Sequence, residues 1–479
     1  MENKNQKPNI IFIAIDGLRT KNLGCYGYKR NTSPNIDSQA KQGVLFENFF
    51  SSYNNSHKSF LSIFGGRHIL AQDLGHYPSK KEMKSFFDTG GILLPEILQK
   101  QGYKTFSLIK SFGWQKIGFD YYLKQDALEK SKKWSLIRFI KKIPCVYNAL
   151  KYILHHCYFF PKRLENKIRS NNSGEVATNK AIEIIKQNKK TNFFLWLHYT
   201  DTHVPHIFPY SFRNKFVSEK KSEKIFEILN SKEGYNKKDI DFLKGCWKIN
   251  DTVEDIIAKY DNAISYDDYL VGRIIQTLKE ENLFGNTIVF IFADHGESLD
   301  EHGLYFTHCG LYDNTFHIPL IIIGNGIPKN KRIDSIAQLE DIAPTILDLI
   351  GVRHDSLLFD GKSLLPIMLN KEKEIRKSIL IQENSCGIKR RGVRTKNYKY
   401  VESPEKRYSQ CMLCGTTHGG IVSLYDLKKD PYENTNIAEK NKKFLTEMKS
   451  ELDKIITERN TINEKRRIKT KINKKWQIK

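Results

Sequence analysis

Apolar, β-branched runs alternate with helical patterns along most of the chain. Short continuous apolar runs predict strands at residues 10–15, 105–109, 193–198, 287–292 and 319–323. Spacing at the helical period predicts helices at residues 93–101, 174–187, 254–281 and 336–350. Uninterrupted apolar strands separated by helices are typical of a largely parallel sheet covered on both faces. The pattern therefore predicts an α/β fold, a three-layer α/β/α sandwich around a mostly parallel mixed sheet.

The pattern changes after about residue 370. Short β segments are predicted at residues 378–382, 392–394, 398–401 and 421–425, followed by a helix at 438–456. We interpret residues 371–460 as a small C-terminal α+β subdomain that follows a catalytic domain at 1–370. Residues 461–479 are polar and basic, and we expect this tail to be frayed.

The net charge of +24 is unevenly distributed. Residues 131–163 contain eight Lys or Arg and no acidic residue, and residues 459–479 contain nine against Glu464. Residues 131–163 also show apolar, aromatic helical faces, which indicate a basic amphipathic insertion. Such a helix either lies at a membrane surface or packs on the domain. Peripheral membrane contact through this insertion and the tail stays open beside packing on the domain, whereas the lack of a recognised motif disfavours nucleic acid.

The N-terminus predicts a protein without a secretory leader. Its first apolar run is too short for a signal peptide, and no run reaches the ~18 apolar residues that a membrane span needs. The eight cysteines are scattered, which is consistent with reduced thiols. These features predict a cytoplasmic protein, peripheral to a membrane if the basic segments bind lipid.

Acidic and imidazole side chains follow three of the predicted strands. Asp16 comes directly after 10–15, the segment from His198 to His206 follows the strand that begins at Phe193, and Asp294 and His295 come after 287–292. Sites in open α/β sheets form at the carboxyl ends of strands. Carboxylate oxygen with imidazole nitrogen suits Ca²⁺, Mg²⁺, Mn²⁺ or Zn²⁺. The alternative is that these aspartates only cap the turns that follow the strands.

Ser56 lies in a stretch of small polar residues that precedes a helical pattern ending at Gly65 and Gly66. A helix N-terminus favours an anion and stabilises a developing alkoxide. A bound metal would lower the pKa of the hydroxyl further. Ser56 is therefore a candidate nucleophile, and the alternative is a simple N-cap.

Ordered motifs from residue 9 to about 439 resemble those of the sulfatase family in the alkaline phosphatase superfamily. The opening segment, the histidine-containing loop and the metal-binding segment carry most of the resemblance. They read Asp16-Gly17-Leu18-Arg19, Leu23-Gly24-Cys25-Tyr26-Gly27-Tyr28, Ser33-Pro34-Asn35-Ile36-Asp37, Asp201-Thr202-His203-Val204-Pro205-His206, Asp294-His295-Gly296-Glu297 and Glu301-His302-Gly303. The resemblance implies an alkaline-phosphatase-like fold and an ester hydrolase.

The resemblance also implies roles for single residues. Asp16, Asp294 and His295 match ligands of one divalent metal ion, and Ser56 matches the nucleophile that also contacts the ion. Other matched residues contact the ester, protonate the leaving group or hold the transferred group. These are His203, His308 and Lys110.

Two departures from the family pattern concern this site. Gly17 stands where many sulfatases have a second aspartate, which weakens the case for Ca²⁺ and leaves Mn²⁺ or Zn²⁺ open. Residues 56–60 lack the proline and arginine that formylglycine maturation requires, with Lys58 and Phe60 in their places. We therefore predict that Ser56 remains serine, and that Lys58 either adds positive charge near an anion or is exposed.

These features predict a metal-dependent hydrolase that cleaves a sulfate- or phosphate-type ester through Ser56. The substrate is expected to be an anionic ester, on a glycan or a lipid-linked molecule. A plain serine favours phosphorus, because its ester must be displaced by water or an acceptor. Two alternatives stay open. One is a transferase that passes a phosphoethanolamine- or phosphoglycerol-type group to a glycan or lipid-linked acceptor, and the other is a non-catalytic anion-binding protein.

Overall fold

The computed structural model describes residues 7–70, 80–109, 113–123, 173–218, 222–231, 237–244, 247–354, 358–385, 387–411 and 415–476. Lys110 and the predicted insertion at 131–163 lie outside these residues. The strands are β1 Asn9–Ile15, β2 Gly43–Phe50, β3 Lys104–Leu108, β4 Tyr121–Tyr122, β5 Phe193–Tyr199, β6 Thr287–Ala293, β7 Leu320–Gly324, β8 Lys331–Gln338, β9 Ser378–Ser385, β10 Ile388–Thr395, β11 Tyr398–Glu402 and β12 Val422–Asp426.

The described α-helices cover both domains. They are α1 Pro34–Lys41, α2 Ser56–Gly65, α3 Lys80–Asp88, α4 Leu94–Lys100, α5 Ser173–Gln187, α6 Ile225–Asn230, α7 Lys237–Lys244, α8 Val253–Glu280, α9 Asp313–Phe316, α10 Ile342–Leu349, α11 Leu365–Met368 and α12 Lys442–Trp476.

The main sheet has eight strands in the order β4-β3-β5-β1-β6-β7-β2-β8. Its neighbours pair in parallel except at β7, which is antiparallel to both β6 and β2. The central strands β5, β1 and β6 are buried along their whole length. This arrangement confirms the predicted mostly parallel mixed sheet, since strands covered on both faces are expected to be apolar throughout.

Helices cover the two faces of this sheet. On one face, Phe64 of α2 stacks on Phe12 with ring centroids 6.2 Å apart. On the other face, Tyr199 shares a hydrogen bond with Thr178 of α5. Alternate side chains of a strand point to opposite faces, so His198 lies on the α2 side of the sheet. The three-layer α/β/α sandwich is therefore confirmed.

A second, antiparallel sheet in the order β12-β11-β10-β9 follows, and α12 packs against it. This is the small C-terminal α+β unit that the sequence predicts. The predicted fraying after residue 460 is wrong, because α12 continues to Trp476. Arg466 of this helix is 3% exposed and its Nη2 lies 2.9 Å from Asp360 Oδ1. The basic end of the chain is thus anchored on the catalytic domain.

The helix predicted at 336–350 is only partly correct. Residues up to Gln338 belong to β8, which pairs in parallel with β2, and the helix begins at Ile342. Apolar residues at 333, 336 and 337 fit both the period of a strand and that of a helix. The pairing with β2 therefore decides that these residues form a strand. Strand β2 itself was missed by the sequence pattern.

Two further expectations concern the compartment. Cys309 is disulfide-bonded, so the prediction of reduced thiols is wrong at this position. Among the helices that the structure describes, none combines the length and apolarity needed to cross a bilayer.

Candidate active site

The carboxyl ends of three adjacent strands bring the candidate ligands together. In the pairing register, Ala14 of β1 lies beside His198 of β5, and Ile15 lies beside Ala293 of β6. Asp16 follows β1 directly, and its backbone N–H donates to the Tyr199 carbonyl at 2.9 Å. Asp294 follows β6 in the same way. Side chains far apart in sequence therefore meet at one edge of the sheet, as expected for an open α/β fold.

Two buried carboxylates and one imidazole form the centre of the site. His295 Nε2 lies 3.5 Å from Asp16 Oδ1 and 3.7 Å from Asp294 Oδ2. Burial and the neighbouring Asp294 raise the pKa of Asp16 well above its usual range. Burial opposes ionisation of Asp294 too, but the neighbouring His295 and His198 and hydrogen bonds from Ser56 and Gly17 outweigh it, so its pKa is lowered. A bound cation would allow both carboxylates to be ionised together.

The free atoms of this cluster fit a divalent cation. Asp16, Asp294 and His295 each offer one ligand atom, and these atoms all lie within 4.8 Å of one another. Asp16 Oδ1 and Asp294 Oδ2 are buried and find no hydrogen-bond partner in the part of the chain that the structure describes. Buried acceptors in a protein are rarely left unsatisfied unless a ligand completes them. The predicted metal ligands are therefore brought together with open positions.

His295 is held in the tautomer that a metal ligand needs. Its Nδ1 lies 2.9 Å from the Gly296 carbonyl oxygen, which only accepts. Nδ1 must therefore carry the proton, and Nε2 presents a lone pair to the carboxylates. A second hydrogen bond to a backbone carbonyl is the usual support of a metal-bound histidine.

Ser56 is the first residue of α2, and the N-cap is its neighbour Asn55. The Asn55 side chain accepts a hydrogen bond from the Lys58 backbone N–H. The alternative in which Ser56 is the N-cap is thereby excluded. Ser56 Oγ lies 3.3 Å from His295 Nε2, at the positive end of the helix dipole. The hydroxyl therefore faces the same centre as the carboxylates.

Two more predicted residues flank this centre. The His308 ring lies 4.7 Å from the His295 ring and 6.1 Å from the His203 ring, between centroids. His203 Nδ1 lies 2.9 Å from the Val204 carbonyl oxygen, so Nδ1 donates and Nε2 is left for other partners. The structure thus brings His203 and His308 beside Ser56, whereas Lys110 lies outside the described residues.

Lys58 is buried rather than exposed. It is 4% exposed, and its Nζ lies 3.4 Å from Glu82 Oε1 of α3. The alternative of an exposed lysine is therefore wrong. The pairing neutralises the lysine charge inside the protein, which is what a buried charge requires.

His198 and Glu297 belong to the site but received no role from the sequence. His198 Nε2 lies 3.6 Å from Asp16 Oδ2, and burial lowers its pKa to about 4, so the ring is neutral. Burial also raises the pKa of Glu297 to about 8. The signal for His198 was its place near the end of an apolar strand, beside the strand that leads to Asp16. Its register with that strand became visible only in the fold.

Comparisons with known proteins identify the family of this chain. A family model described as sulfatase matches residues 8–352, and one described as the C-terminal region of N-sulphoglucosamine sulphohydrolase matches residues 300–460. A sulfatase from Formosa agariphila is 25% identical over 93% of this chain and 85% of that protein. An N-acetylgalactosamine-6-O-sulfatase from Bacteroides thetaiotaomicron is 22% identical over 95% and 94%.

Other similarities are shorter or structural. Arylsulfatase K from dog is 34% identical, but the match spans only 39% of this chain and 34% of that protein. The crystal structure of a phosphonate monoester hydrolase from Agrobacterium radiobacter superposes with a TM-score of 0.67 at 17% identity, covering 95% of this chain and 96% of that one. This structural likeness supports the fold that the strands indicate.

Proposed function

The chain belongs to the sulfatase family, and from this premise we propose that it hydrolyses a sulfate- or phosphate-type ester with Ser56 as nucleophile and one divalent metal ion. The observation that carries the proposal is the position of Ser56 Oγ, 3.3 Å from His295 Nε2 and beside two buried carboxylates. A hydroxyl at a helix N-terminus next to a cation site is the arrangement that activates serine. A non-catalytic anion-binding protein does not need an activated serine hydroxyl.

Ser56 would carry the covalent step. Its Oγ forms a bond to the phosphorus or sulfur atom of the ester while the bond to the leaving-group oxygen breaks. The Ser56 hydroxyl donates to Asp294, which gives its proton an acceptor. Water then displaces the group from Oγ and regenerates the serine. The helix dipole of α2 supports negative charge on Oγ in both steps.

Asp16, Asp294, His295 and Ser56 would hold the metal ion. When bound, the ion lowers the pKa of the serine hydroxyl and offsets negative charge on the ester. His308 lies next to His295 and His203 next to His308, and both imidazoles are suited to protonate the leaving-group oxygen. His203 donates its Nδ1 proton to the Val204 carbonyl, which keeps Nε2 available for that exchange.

The first prediction concerns Ser56 itself. Ser56→Ala should lower kcat/KM by about 10³-fold or more, because it removes the oxygen that forms the covalent intermediate. Ser62→Ala is the matched control, since Ser62 lies on the same helix, is buried and has no partner for its hydroxyl among the described residues. Activity is measured with p-nitrophenyl phosphate, a phosphonate monoester, a phosphodiester and p-nitrophenyl sulfate, with added Mn²⁺, Zn²⁺ or Ca²⁺.

A phosphorus ester is the substrate class that a plain serine favours. We expect the highest kcat/KM on one of the phosphorus esters, with loss of activity after chelation of the metal. Activity on the sulfate alone, abolished by Ser56→Ala, would contradict this choice while leaving the nucleophile intact. Equal loss of activity in Ser56→Ala and Ser62→Ala would contradict the nucleophile.

Sulfate esters of an anionic glycan are the second candidate substrate. The near-full-length match to a protein named N-acetylgalactosamine-6-O-sulfatase favours them. Release of sulfate from sulfated hexosamines, followed by ion chromatography, tests this candidate. Mass spectrometry of the peptide with residue 56 adds an independent result. We expect the mass of serine, and a mass lower by two hydrogens would show conversion to formylglycine and favour the sulfate.

A further inference from the structure

His198 approaches the same carboxylate pair as His295 does, from another side. Its Nε2 lies 3.6 Å from Asp16 Oδ2 and 3.8 Å from Asp294 Oδ2. The matching distances from His295 Nε2 are 3.5 Å and 3.7 Å. The two histidines approach different oxygens of Asp16, and both approach Asp294 Oδ2. The carboxylates therefore have an imidazole nitrogen on two sides.

These distances are those of ligands that share an ion rather than of hydrogen-bonded groups. A nitrogen and an oxygen that bind one first-row ion at ~2.0–2.2 Å lie roughly 3 Å apart at an angle of about 90° and up to roughly 3.8 Å apart at about 120°. A hydrogen bond between the same atoms would be shorter, at about 2.7–3.2 Å. Among the described residues, His198 Nε2 also has no hydrogen-bond partner, and His198 is 5% exposed. A buried neutral imidazole without a partner is costly unless a ligand satisfies it.

Packing fixes the direction in which His198 points. The Phe60 ring meets the His198 ring edge-on, with centroids 4.7 Å apart and planes at 77°. Phe60 is 1% exposed and also packs against Trp196, so it cannot swing away. Phe60 occupies the position at which formylglycine sulfatases carry an arginine. The departure at residue 60 thus supplies an apolar wall for the imidazole.

Position 17 cannot supply the ligand that the family pattern expects there. Gly17 has a φ of +64°, which strains any other residue. A Cβ at this position would also lie 3.3 Å from Glu297 Oε2. The chain therefore has no carboxylate at position 17. It carries an imidazole, that of His198, on the adjacent strand β5. Two departures from the family pattern, at residues 17 and 60, thus lie close to His198.

We propose that His198 Nε2 binds the metal ion together with Asp16, Asp294 and His295, in place of the carboxylate absent at Gly17. The inference rests on the metal site proposed above. Two imidazoles and two carboxylates favour a borderline first-row ion such as Zn²⁺ or Mn²⁺ and disfavour Ca²⁺, which prefers six to eight oxygen ligands. An imidazole nitrogen in place of a carboxylate oxygen thus favours Zn²⁺ or Mn²⁺ over Ca²⁺.

The test measures metal binding without reference to catalysis. Zn²⁺ affinity is determined by competition with a chromophoric chelator for the wild type, His198→Ala and His198→Gln. We expect both variants to lose at least about 100-fold in affinity, since even partners of a metal ligand cost 10- to 100-fold. His206→Gln is the matched control. His206 is equally buried, but its Nδ1 bonds to the Thr202 carbonyl and its ring packs on Trp247.

X-ray absorption of the Zn²⁺-loaded proteins counts the imidazole ligands directly. We expect two in the wild type and in His206→Gln, and one in His198→Gln. Wild-type affinity in the His198 variants, or loss of affinity with two imidazoles still bound, would overturn the role of His198. A wild type that binds no stoichiometric metal would instead contradict the metal site of the proposed function. Circular dichroism of each variant identifies any that fail to fold.

Discussion

At the scale of single residues, a buried carboxyl pair makes the stability of the protein depend on pH. Asp201 and Asp267 form this pair and are 1% and 0% exposed. Burial raises the pKa of Asp201 to about 7, and burial with the neighbouring Asp201 raises that of Asp267 well above its usual range. Between the ordinary aspartate value of 3.8 and about 7, the unfolded chain has released a proton that the folded protein retains. The free energy of unfolding therefore falls as the pH rises through this window.

Asp267→Asn should reduce this fall, because the amide removes one of the two acids and can donate to the Asp201 carboxylate. We expect the difference in free energy of unfolding between pH 5 and pH 8 to shrink by about 2 kcal/mol. Urea denaturation at the two pH values measures it. The exposed Glu447→Gln provides the control and should leave the difference unchanged. An unchanged difference in Asp267→Asn would show that the pair does not control this pH dependence.

At the scale of elements, helix α2 positions the nucleophile through its N-cap. Asn55 is fully buried, and its side-chain oxygen accepts the Lys58 backbone N–H at 3.1 Å. Asn55→Ala should cost about 1 kcal/mol in the free energy of unfolding, the usual effect of losing a cap. It should also lower kcat by about 10- to 100-fold, because Ser56 is the next residue and small displacements of a reacting group are costly.

Asn55→Ser is the control for the cap, since a serine oxygen can accept the same bond. Thermal unfolding and initial rates are compared across the three proteins. A kcat for Asn55→Ala equal to that of the wild type would show that the start of α2 is held by other contacts. A loss of stability alone does not show whether the Asn55 cap also positions Ser56. Thermal unfolding and initial rates are therefore both needed.

At the scale of the whole molecule, the basic C-terminal helix holds the two domains together. Arg459 Nη1 and Arg466 Nη2 lie 3.3 Å and 2.9 Å from the two oxygens of Asp360, and Arg459 Nη2 lies 3.4 Å from Glu340. Glu340 is fully buried and accepts a hydrogen bond from Ser52, close to the start of α2. Part of the positive charge of the last segment is thus used inside the protein rather than at an anionic surface.

Arg466→Ala should lower the free energy of unfolding by about 3 kcal/mol, because one partner of a buried ion pair is removed. Arg467→Ala is the matched control and should change it by less than about 0.5 kcal/mol. Arg467 is exposed and pairs only with Glu464, one turn away. Urea unfolding of both variants tests the difference. Equal effects would indicate that the helix contributes through its charge alone and not through its contacts with the catalytic domain.

Much of the fold was predictable because local periodicity determines it. The apolar runs that became β1, β5 and β6 are unbroken, and a strand buried on both faces has no other pattern. Strand β8 and the extent of α12 were not predictable in this way. Their residues fit more than one period, and pairing with β2 or ion pairs with Asp360 decide their state.

The sequence by itself determined which side chains are chemically suited to the site and that strand ends would present them. Asp16, Asp294, His295 and Ser56 follow from motif and position, because parallel strands bring their carboxyl ends to one edge. Only the tertiary structure decided that His198 lies next to the two carboxylates and that Lys58 pairs with Glu82 instead. The register of β5 against β1 sets the first, and the approach of α3 to α2 sets the second. Both depend on contacts between segments distant along the chain, which no local pattern encodes.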